Sequence, residues 1–210
     1  NSPSGPVSIN SGDSYTDSYY VTLSLSATDD EGVTGYYAST SSSTPSGSDY
    51  RWTSITSTTS YFGSKYSVYL GSSQGTKTVY VWFKDAAGSV SSRYSDSITY
   101  DSYSPSSSIT INNESNYTRY STSINVTVSA TDSVGVTGYY VSTSSSSPLA
   151  SASGWTAVSS TTSYSITGSM SISSNYGNRY VYAWFKDATG NVSSRNSASM
   201  YCSSAGSSCY

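Results

Sequence analysis

An internal duplication constrains this fold more than any other feature of the sequence. Residues 27–37 (ATDDEGVTGYY) return as residues 130–140 (ATDSVGVTGYY), and residues 79–88 (VYVWFKDAAG) return as residues 181–190 (VYAWFKDATG). The offset of about 102 residues is the size of a small domain rather than of a solenoid repeat. Each copy must bury its own core, so we predict two tandem domains, residues 1–103 and residues 104–210.

Both copies show the alternation of apolar and polar residues that is typical of half-buried strands. The apolar positions of the clearest strand are Val21, Leu23 and Leu25 in copy one and Ile124, Val126 and Val128 in copy two. Tyr, Thr, Val and Trp favour strands, and helix formers are scarce. About seven short strands per copy predict an all-β protein of two tandem immunoglobulin-like β-sandwiches.

Composition argues against several functions. The net charge is only −3 and the nine Lys and Arg residues are scattered, so nucleic-acid binding has no electrostatic support. No apolar run approaches the roughly 20 residues of a membrane helix, so no membrane insertion is expected. The chain has no His, no Gly-x-Ser-x-Gly elbow and no phosphate-binding loop, so we expect no enzyme activity.

The two cysteines, Cys202 and Cys209, are close enough in sequence to form a local disulfide. The alternative is two free or intermolecular thiols. A disulfide fits an extracellular or cell-surface location, which the rest of the composition also favours. Because its loop is so small, we expect it to staple the C-terminal tail of domain two rather than to stabilise that domain.

Acidic residues follow the predicted strands at one pole of each sandwich. They are Asp29, Asp30, Glu31 and Asp85 in copy one and Asp132 and Asp187 in copy two. Carboxylates with loop carbonyls suit Ca²⁺, which takes about 6–8 oxygen ligands. The alternative is that each Asp caps its own turn through backbone hydrogen bonds. No cofactor is expected apart from this structural Ca²⁺.

An aromatic stripe is predicted on the strand that carries the WFKD motif. If Val79, Val81 and Phe83 face the core, the residues between them face outward. The candidate assembly residues are therefore Tyr36, Tyr80, Trp82, Tyr139, Tyr182 and Trp184. Such a stripe is a partner interface, a sugar-stacking platform or a surface that loops cover. Trp52 and Trp155 follow proline-containing loops and are predicted to plug the core.

Four asparagines match the N-glycosylation acceptor pattern, namely Asn113, Asn116, Asn125 and Asn191. The Ser/Thr-rich loops, such as residues 39–48 and 142–147, are candidates for O-linked sugars. The alternative is that both classes of residue stay unmodified.

The motifs ATDxxGVTGYY and VYxWFKDAxGxVS, with a Trp between them, resemble the Big-type immunoglobulin-like repeats of bacterial and archaeal cell-surface proteins. The resemblance covers nearly all of both copies. It implies the sandwich fold, and it implies roles as stalks, adhesin arms, filament subunits or enzyme appendages. The exceptional Ser and Tyr content departs from the usual pattern.

These observations predict a structural extracellular protein, the subunit of a self-assembling surface filament, sheath or appendage. Its partners would be copies of itself. The low charge causes little repulsion between neighbouring subunits, and strand edges rich in Ser and Thr can pair with those of a neighbour. The alternative is an adhesin stalk or carbohydrate-binding module whose partners are glycans. A third interpretation is an inert spacer beside a catalytic domain.

Overall fold

The computed structural model describes residues 1–112, 117–118, 120–204 and 209, except for the side chain of residue 66. The chain divides into two compact units, Asn1–Ser102 and Tyr103–Tyr210. Both units are built almost wholly from β-strands, which confirms the predicted fold class. Among the described residues, no helix has the length and apolar character needed to cross a bilayer.

Unit 1 contains six strands and one short 3-10 turn, Asn10–Gly12. The strands are β1 (Val7–Ile9), β2 (Tyr15–Thr16), β3 (Tyr20–Ser39), β4 (Thr53–Tyr69), β5 (Gly75–Asp85) and β6 (Tyr94–Tyr100). Their order is β1-β3-β5-β6-β2, and β4 pairs with β3. All pairs are antiparallel except that of β2 with β6.

Among its described residues, unit 2 repeats this plan with five strands. They are β7 (Ser106–Ile111), β8 (Ser123–Ser142), β9 (Thr156–Ser171), β10 (Gly177–Asp187) and β11 (Asn196–Cys202). Their order is β11-β10-β8-β7, and β9 pairs with β8.

The longest strand of each unit serves both layers of its sandwich. Residues 20–28 of β3 pair with β1 and β4, whereas residues 33–39 pair with β5 and β4. The register shifts between Thr28 and Val33, and β8 shows the same shift between Thr131 and Val136. The sequence pattern counts these halves as separate strands. For this reason it predicts about seven strands per copy, where the described residues form six in unit 1 and five in unit 2.

Glycine is required where the long strands change layer. Gly32 has a φ of 100°, and a Cβ atom there would lie 2.4 Å from Ser57 Oγ. Gly135 of unit 2 has a φ of 126°, and its Cβ would lie 2.2 Å from Ser160 Oγ. A side chain at either position would therefore be strained in its backbone and would clash with the neighbouring strand.

The core of unit 1 lies between the two layers, as the alternation predicts. Leu23 and Leu25 of β3 face Val79, Val81 and Phe83 of β5, and all five are at most 3% exposed. Burial of each such side chain stabilises the fold by roughly 1.5–3 kcal/mol. The inward face predicted for β5 is thus confirmed.

The core of unit 2 has the same plan and includes the disulfide. Cys202 and Cys209 are bonded, which confirms the predicted pairing. The bond lies within the core cluster, since Cys202 is 0% exposed and Cys209 1% exposed. Whether it stabilises unit 2 or only holds the C-terminal tail is tested by reduction. The Cys209 backbone N–H also donates to the Tyr117 carbonyl at 2.8 Å. The disulfide closes the core at the position that Tyr100 occupies in unit 1.

Candidate functional site

The two tryptophans of the predicted stripe are buried. Trp82 and Trp184 are 0% exposed, so the prediction that they present an outward interface is wrong. They do lie on the side of the sheet away from the main core, but other aromatic residues cover them. The ring of Tyr37 lies 5.9 Å from that of Trp82, and Trp52 packs in the same buried cluster. A separate small core therefore forms where the alternation pattern predicts solvent.

The covering loops are held by tryptophan and lysine side chains. Trp52 Nε1 donates to the Ser46 carbonyl at 2.8 Å, and Lys84 Nζ lies 5.0 Å from the Trp52 ring. In unit 2 Trp155 Nε1 donates to the Leu149 carbonyl, and Lys186 Nζ lies 5.0 Å from the Trp155 ring. Trp52 is buried as predicted for a plug, whereas Trp155 is half-buried.

The predicted tyrosines divide into two groups. Tyr36 is 6% exposed and Tyr139 packs against the core of unit 2, so the outward position predicted for them is wrong. The next residue in sequence, Tyr37 or Tyr140, contacts the covered tryptophan on the outer face. Because successive side chains of a strand point to opposite faces, Tyr36 and Tyr139 face inward. Tyr80 and Tyr182 are half-buried and remain at the surface, where Arg93 and Arg195 lie over their rings at 4.9 and 5.2 Å.

The sequence analysis misses an exposed tyrosine cluster in unit 1. Tyr19, Tyr20 and Tyr69 are 44–51% exposed, and their ring centroids lie 5.0 to 5.9 Å apart. Tyr69 comes from β4, 49 positions after Tyr20 in the chain, and the register pairs these two residues. Only strand pairing brings the rings together, so a local motif search does not find them.

Each unit also presents a long edge strand. Among the described residues, β4 pairs only with β3, and β9 pairs only with β8. The sequence of β9 contains no charged residue and no proline, and β4 contains one charged residue, Lys65. An edge of this kind exposes backbone groups that can pair with another strand.

The acidic residues of the poles accept hydrogen bonds from their own turns. Asp29 Oδ1 accepts from the N–H groups of Glu31 and Gly32, each at 3.0 Å. Asp132 Oδ1 accepts from the equivalent groups of Val134 and Gly135, each at 2.9 Å. These bonds are those expected of turn-capping aspartates.

The second turn of each pole differs between the copies. Asp85 Oδ1 accepts from the Ser89 N–H at 2.8 Å. Asp187 accepts from the backbone N–H of Asn191 and also, through Oδ2, from its side-chain amide at 2.8 Å. In unit 2 the convergence predicted for the pole is present, since carboxylate oxygens of Asp132 and Asp187 lie within 4.8 Å.

One carboxylate oxygen at the pole of unit 1 has no hydrogen-bond partner in the part of the chain that the structure describes. It is Asp29 Oδ2, and Asp29 is only 8% exposed. Asp29 and the exposed Asp30 line a depression of about 360 Å³ beside Thr28 and Thr59. A buried carboxylate oxygen is a suitable ligand for Ca²⁺, so the Ca²⁺ interpretation remains a prediction for this pole.

The predicted glycosylation sites lie in different environments. Asn113 and Asn116 lie outside the described residues. Asn125 is exposed on β8. Asn191 Nδ2 donates to Asp187 Oδ2 and Thr189 Oγ1, so a sugar on that nitrogen would have to replace bonds that hold the turn.

No protein-family model and no curated protein sequence matches this chain. Among solved structures it is similar to fibronectin(III)-like modules of Clostridium thermocellum CbhA, with 14% identity, a TM-score of 0.37 and 93% of each chain covered. It is also similar to the D00-D0 domain of intimin, with 12% identity, a TM-score of 0.38, and 94% of this chain and 99% of that chain covered. A third likeness is to red sea bream transglutaminase, with 10% identity, a TM-score of 0.30, and 94% of this chain but 31% of that chain covered.

The strand order and the two-layer cores of this chain define the class of protein. Each unit packs antiparallel strands in two layers, with alternating side chains between them and one long strand shared by both layers. This is the architecture of an immunoglobulin-like β-sandwich. The chain therefore folds as two tandem immunoglobulin-like β-sandwiches.

Proposed function

We propose that this chain is a non-enzymatic extracellular structural protein, the subunit of a self-assembling filament, sheath or appendage. Copies of the chain associate by pairing their edge strands. The main support for this proposal is the exposed, uncharged edge of β9.

Residues 163–171 of β9 form an edge without the charge, proline or bulges that keep β proteins from pairing with each other. Natural edge strands are short or carry lysine, proline or bulges. In contrast β9 is 16 residues long with no charge and no proline, although strands average about 5–6 residues. Its residues 163–171 pair with β8 through nine consecutive positions without a register shift. This regular, uncharged edge is therefore suited to adding a strand of another chain.

The edge of β4 provides a second pairing surface in unit 1. Phe62 on this strand is 76% exposed and borders a depression lined by Leu25 and Pro6. Charges are few along β4, so repulsion opposes an approaching strand little. Two edges per chain allow an assembly to extend beyond a dimer.

Extracellular location and the absence of catalysis are parts of the same proposal. The disulfide supports an oxidising compartment. The lack of His removes the usual general base. The alternative function, an adhesin stalk or carbohydrate-binding module, predicts dispersed chains instead of assemblies.

Electron microscopy of the native protein and of an edge variant tests the proposal. Wild-type chains are expected to form ordered filaments or sheets near neutral pH. Ser163→Lys with Ser165→Lys is expected to leave dispersed chains, because two ammonium groups on the β9 edge block strand addition. Ser144→Lys with Ser146→Lys adds the same charge to an exposed loop of unit 2 and is the matched control.

Two results would contradict this proposal. Dispersed wild-type chains would favour the adhesin or carbohydrate-binding alternative. Assembly by the edge variant as complete as that of the loop control would show that β9 is not the pairing edge. Circular dichroism of both variants establishes that the sandwiches remain folded.

A further inference from the structure

Unit 2 carries a pair of tyrosines that unit 1 lacks. Tyr180 and Tyr182 project from the same face of β10, with ring centroids 6.2 Å apart and ring planes within 12° of parallel. Tyr180 is 46% exposed. At the position equivalent to Tyr180, unit 1 has Thr78, whose hydroxyl is hydrogen-bonded to Ser97.

These rings border a depression with a volume of about 330 Å³, which falls in the usual range of about 300–1,000 Å³ for small-molecule sites. Its other lining groups are hydroxyls and amides. They come from Thr143, Ser173, Asn175 and Asn178, and Ile172 and Arg179 complete the lining. No lining residue is acidic, so the depression combines aromatic faces with neutral hydrogen-bonding groups.

A buried guanidinium group fixes the turn that forms one wall of the depression. Arg179 is 4% exposed, and its Nη1 donates to the Ser121 carbonyl at 3.0 Å. Its Nε donates to the Asn175 carbonyl at 3.0 Å, and Nη2 donates to the same carbonyl. These bonds hold the β9–β10 turn that carries Asn175, and they direct the charge of Arg179 toward protein carbonyls. The wall is therefore preorganised and offers little net charge to a ligand.

We propose that this depression is a carbohydrate-binding site for a neutral hexopyranose unit of a glycan. A pyranose ring has an apolar C–H face that packs on Tyr180 and Tyr182, and its hydroxyls donate to and accept from the amides of Asn175 and Asn178. Tyrosine suits this role because it provides a large contact area with an ordered polar tip. The site is independent of the edge-strand assembly proposed above.

The second guanidinium group near the rings does not favour an acidic sugar. Arg195 lies over Tyr182 at 5.2 Å, and its Nη1 donates to the Ser145 carbonyl at 3.2 Å. Its guanidinium group is therefore held between the Tyr182 ring and the covering loop. Unit 1 repeats this contact with Arg93 and Tyr80, so the contact by itself does not make the site.

Saturation-transfer NMR with soluble hexasaccharides tests the proposal in the full chain, whether assembled or dispersed. The probes are cellohexaose, laminarihexaose and α-1,6-mannohexaose, with an alginate hexamer as the acidic probe. At least one neutral probe is expected to show transfer at its ring protons. Tyr180→Ser with Tyr182→Ser is expected to weaken that binding at least tenfold, whereas Tyr80→Ser in unit 1 leaves it unchanged.

Three results would overturn the site. They are no transfer to any neutral probe, transfer to the alginate hexamer alone, and transfer that persists undiminished in the double variant. Asn178→Ala provides a second measurement, since it removes an amide from the exposed rim and is expected to weaken binding without altering the melting temperature. A loss of binding in Tyr80→Ser would place the saccharide in unit 1 and would equally overturn the assignment.

Discussion

At the scale of single residues, Trp82 combines complete burial with an unsatisfied polar atom. It is 0% exposed, and its Nε1 has no hydrogen-bond partner among the described residues. Tyr37 and Trp52 pack against its ring, and a single cluster joins the three. The indole therefore stabilises the attachment of the covering loop to β5 through packing rather than through hydrogen bonding.

Trp82→Ser is expected to destabilise unit 1 by about 3–5 kcal/mol, the usual cost of truncating a buried aromatic residue. That is a large part of the roughly 5–15 kcal/mol that stabilises a domain. Urea unfolding followed by circular dichroism measures the loss. Trp82→Phe is the control, because it keeps most of the volume and removes the unpartnered N–H, so it should cost much less. Equal unfolding curves for Trp82→Ser and wild type would contradict the buried position.

Binding of Ca²⁺ at the pole of unit 1 would depend on a single residue, Asp29, whose Oδ2 has no hydrogen-bond partner among the described residues. We expect Ca²⁺ to raise the melting temperature of unit 1 relative to chelator, because ligation stabilises only the folded state. Asp29→Asn is expected to abolish the difference, whereas Asp13→Asn, which removes an exposed carboxylate elsewhere in unit 1, should retain it. Identical wild-type melts with and without Ca²⁺ would assign Asp29 and Asp85 to turn capping alone.

At the scale of elements, the two units close the same end of the core in different ways. In unit 1 Tyr100 ends β6, and β2 pairs in parallel with that strand. In unit 2 Cys202 ends β11 and is joined to Cys209, whose main chain is bonded to Tyr117. The disulfide thus takes the place of an aromatic side chain.

Reduction of the disulfide is expected to destabilise unit 2 by about 2.5 kcal/mol, the loop-entropy estimate for a loop of this length. Differential scanning calorimetry should show a lower transition for unit 2, and the unit 1 transition serves as an internal control. Cys202→Ser should show the same shift and no further response to reductant. A reductant that moves neither transition would show that the bond is only a local staple.

The long strand β3 continues through a segment that the sequence predicts to be a loop. Residues 29–32 contain two Asp and a Gly, a composition that predicts a loop between two strands. In the structure Asp29 bonds the turn and β4 pairs with both sides of it, so the ladder continues through the bend. The partners on either side of the bend, Ser60 for Thr28 and Thr58 for Val33, lie 32 and 25 residues away in the chain. Pairing with this distant segment decides that β3 is one strand.

At the scale of the whole molecule, charge contributes little to cohesion. An ion pair joins Arg51 and Asp49 at 2.7 Å, and the Arg51 guanidinium lowers the pKa of the Asp49 carboxyl to about 2. The pair is exposed, so it stabilises the fold weakly. Any stabilisation it gives is present above the ordinary Asp pKa of about 4 and is lost as the pH falls toward 2. The sheet surfaces are instead rich in hydroxyl groups and poor in charge, which is what the proposed assembly requires.

The two copies share one core architecture, but they differ at one end of the core and at the surface. Tyr180 replaces Thr78, Asn191 replaces Ser89, and Cys202 replaces Tyr100. Duplication thus produced two sandwiches of one architecture, while the proposed saccharide depression and the disulfide belong to unit 2 alone.

The sequence by itself determined the fold class and the inner face of β5, and it indicated the disulfide. Alternation fixes which side of β5 holds Val79, Val81 and Phe83, and a separation of 7 residues brings Cys202 and Cys209 together without help from the rest of the chain. Only the tertiary structure decided which outward residues are covered. Trp52 comes from a loop 30 positions before Trp82, and alternation carries no information about a loop that folds over the sheet. For the same reason the exposed cluster of Tyr19, Tyr20 and Tyr69 and the open edge of β9 became visible only when strand pairing was known.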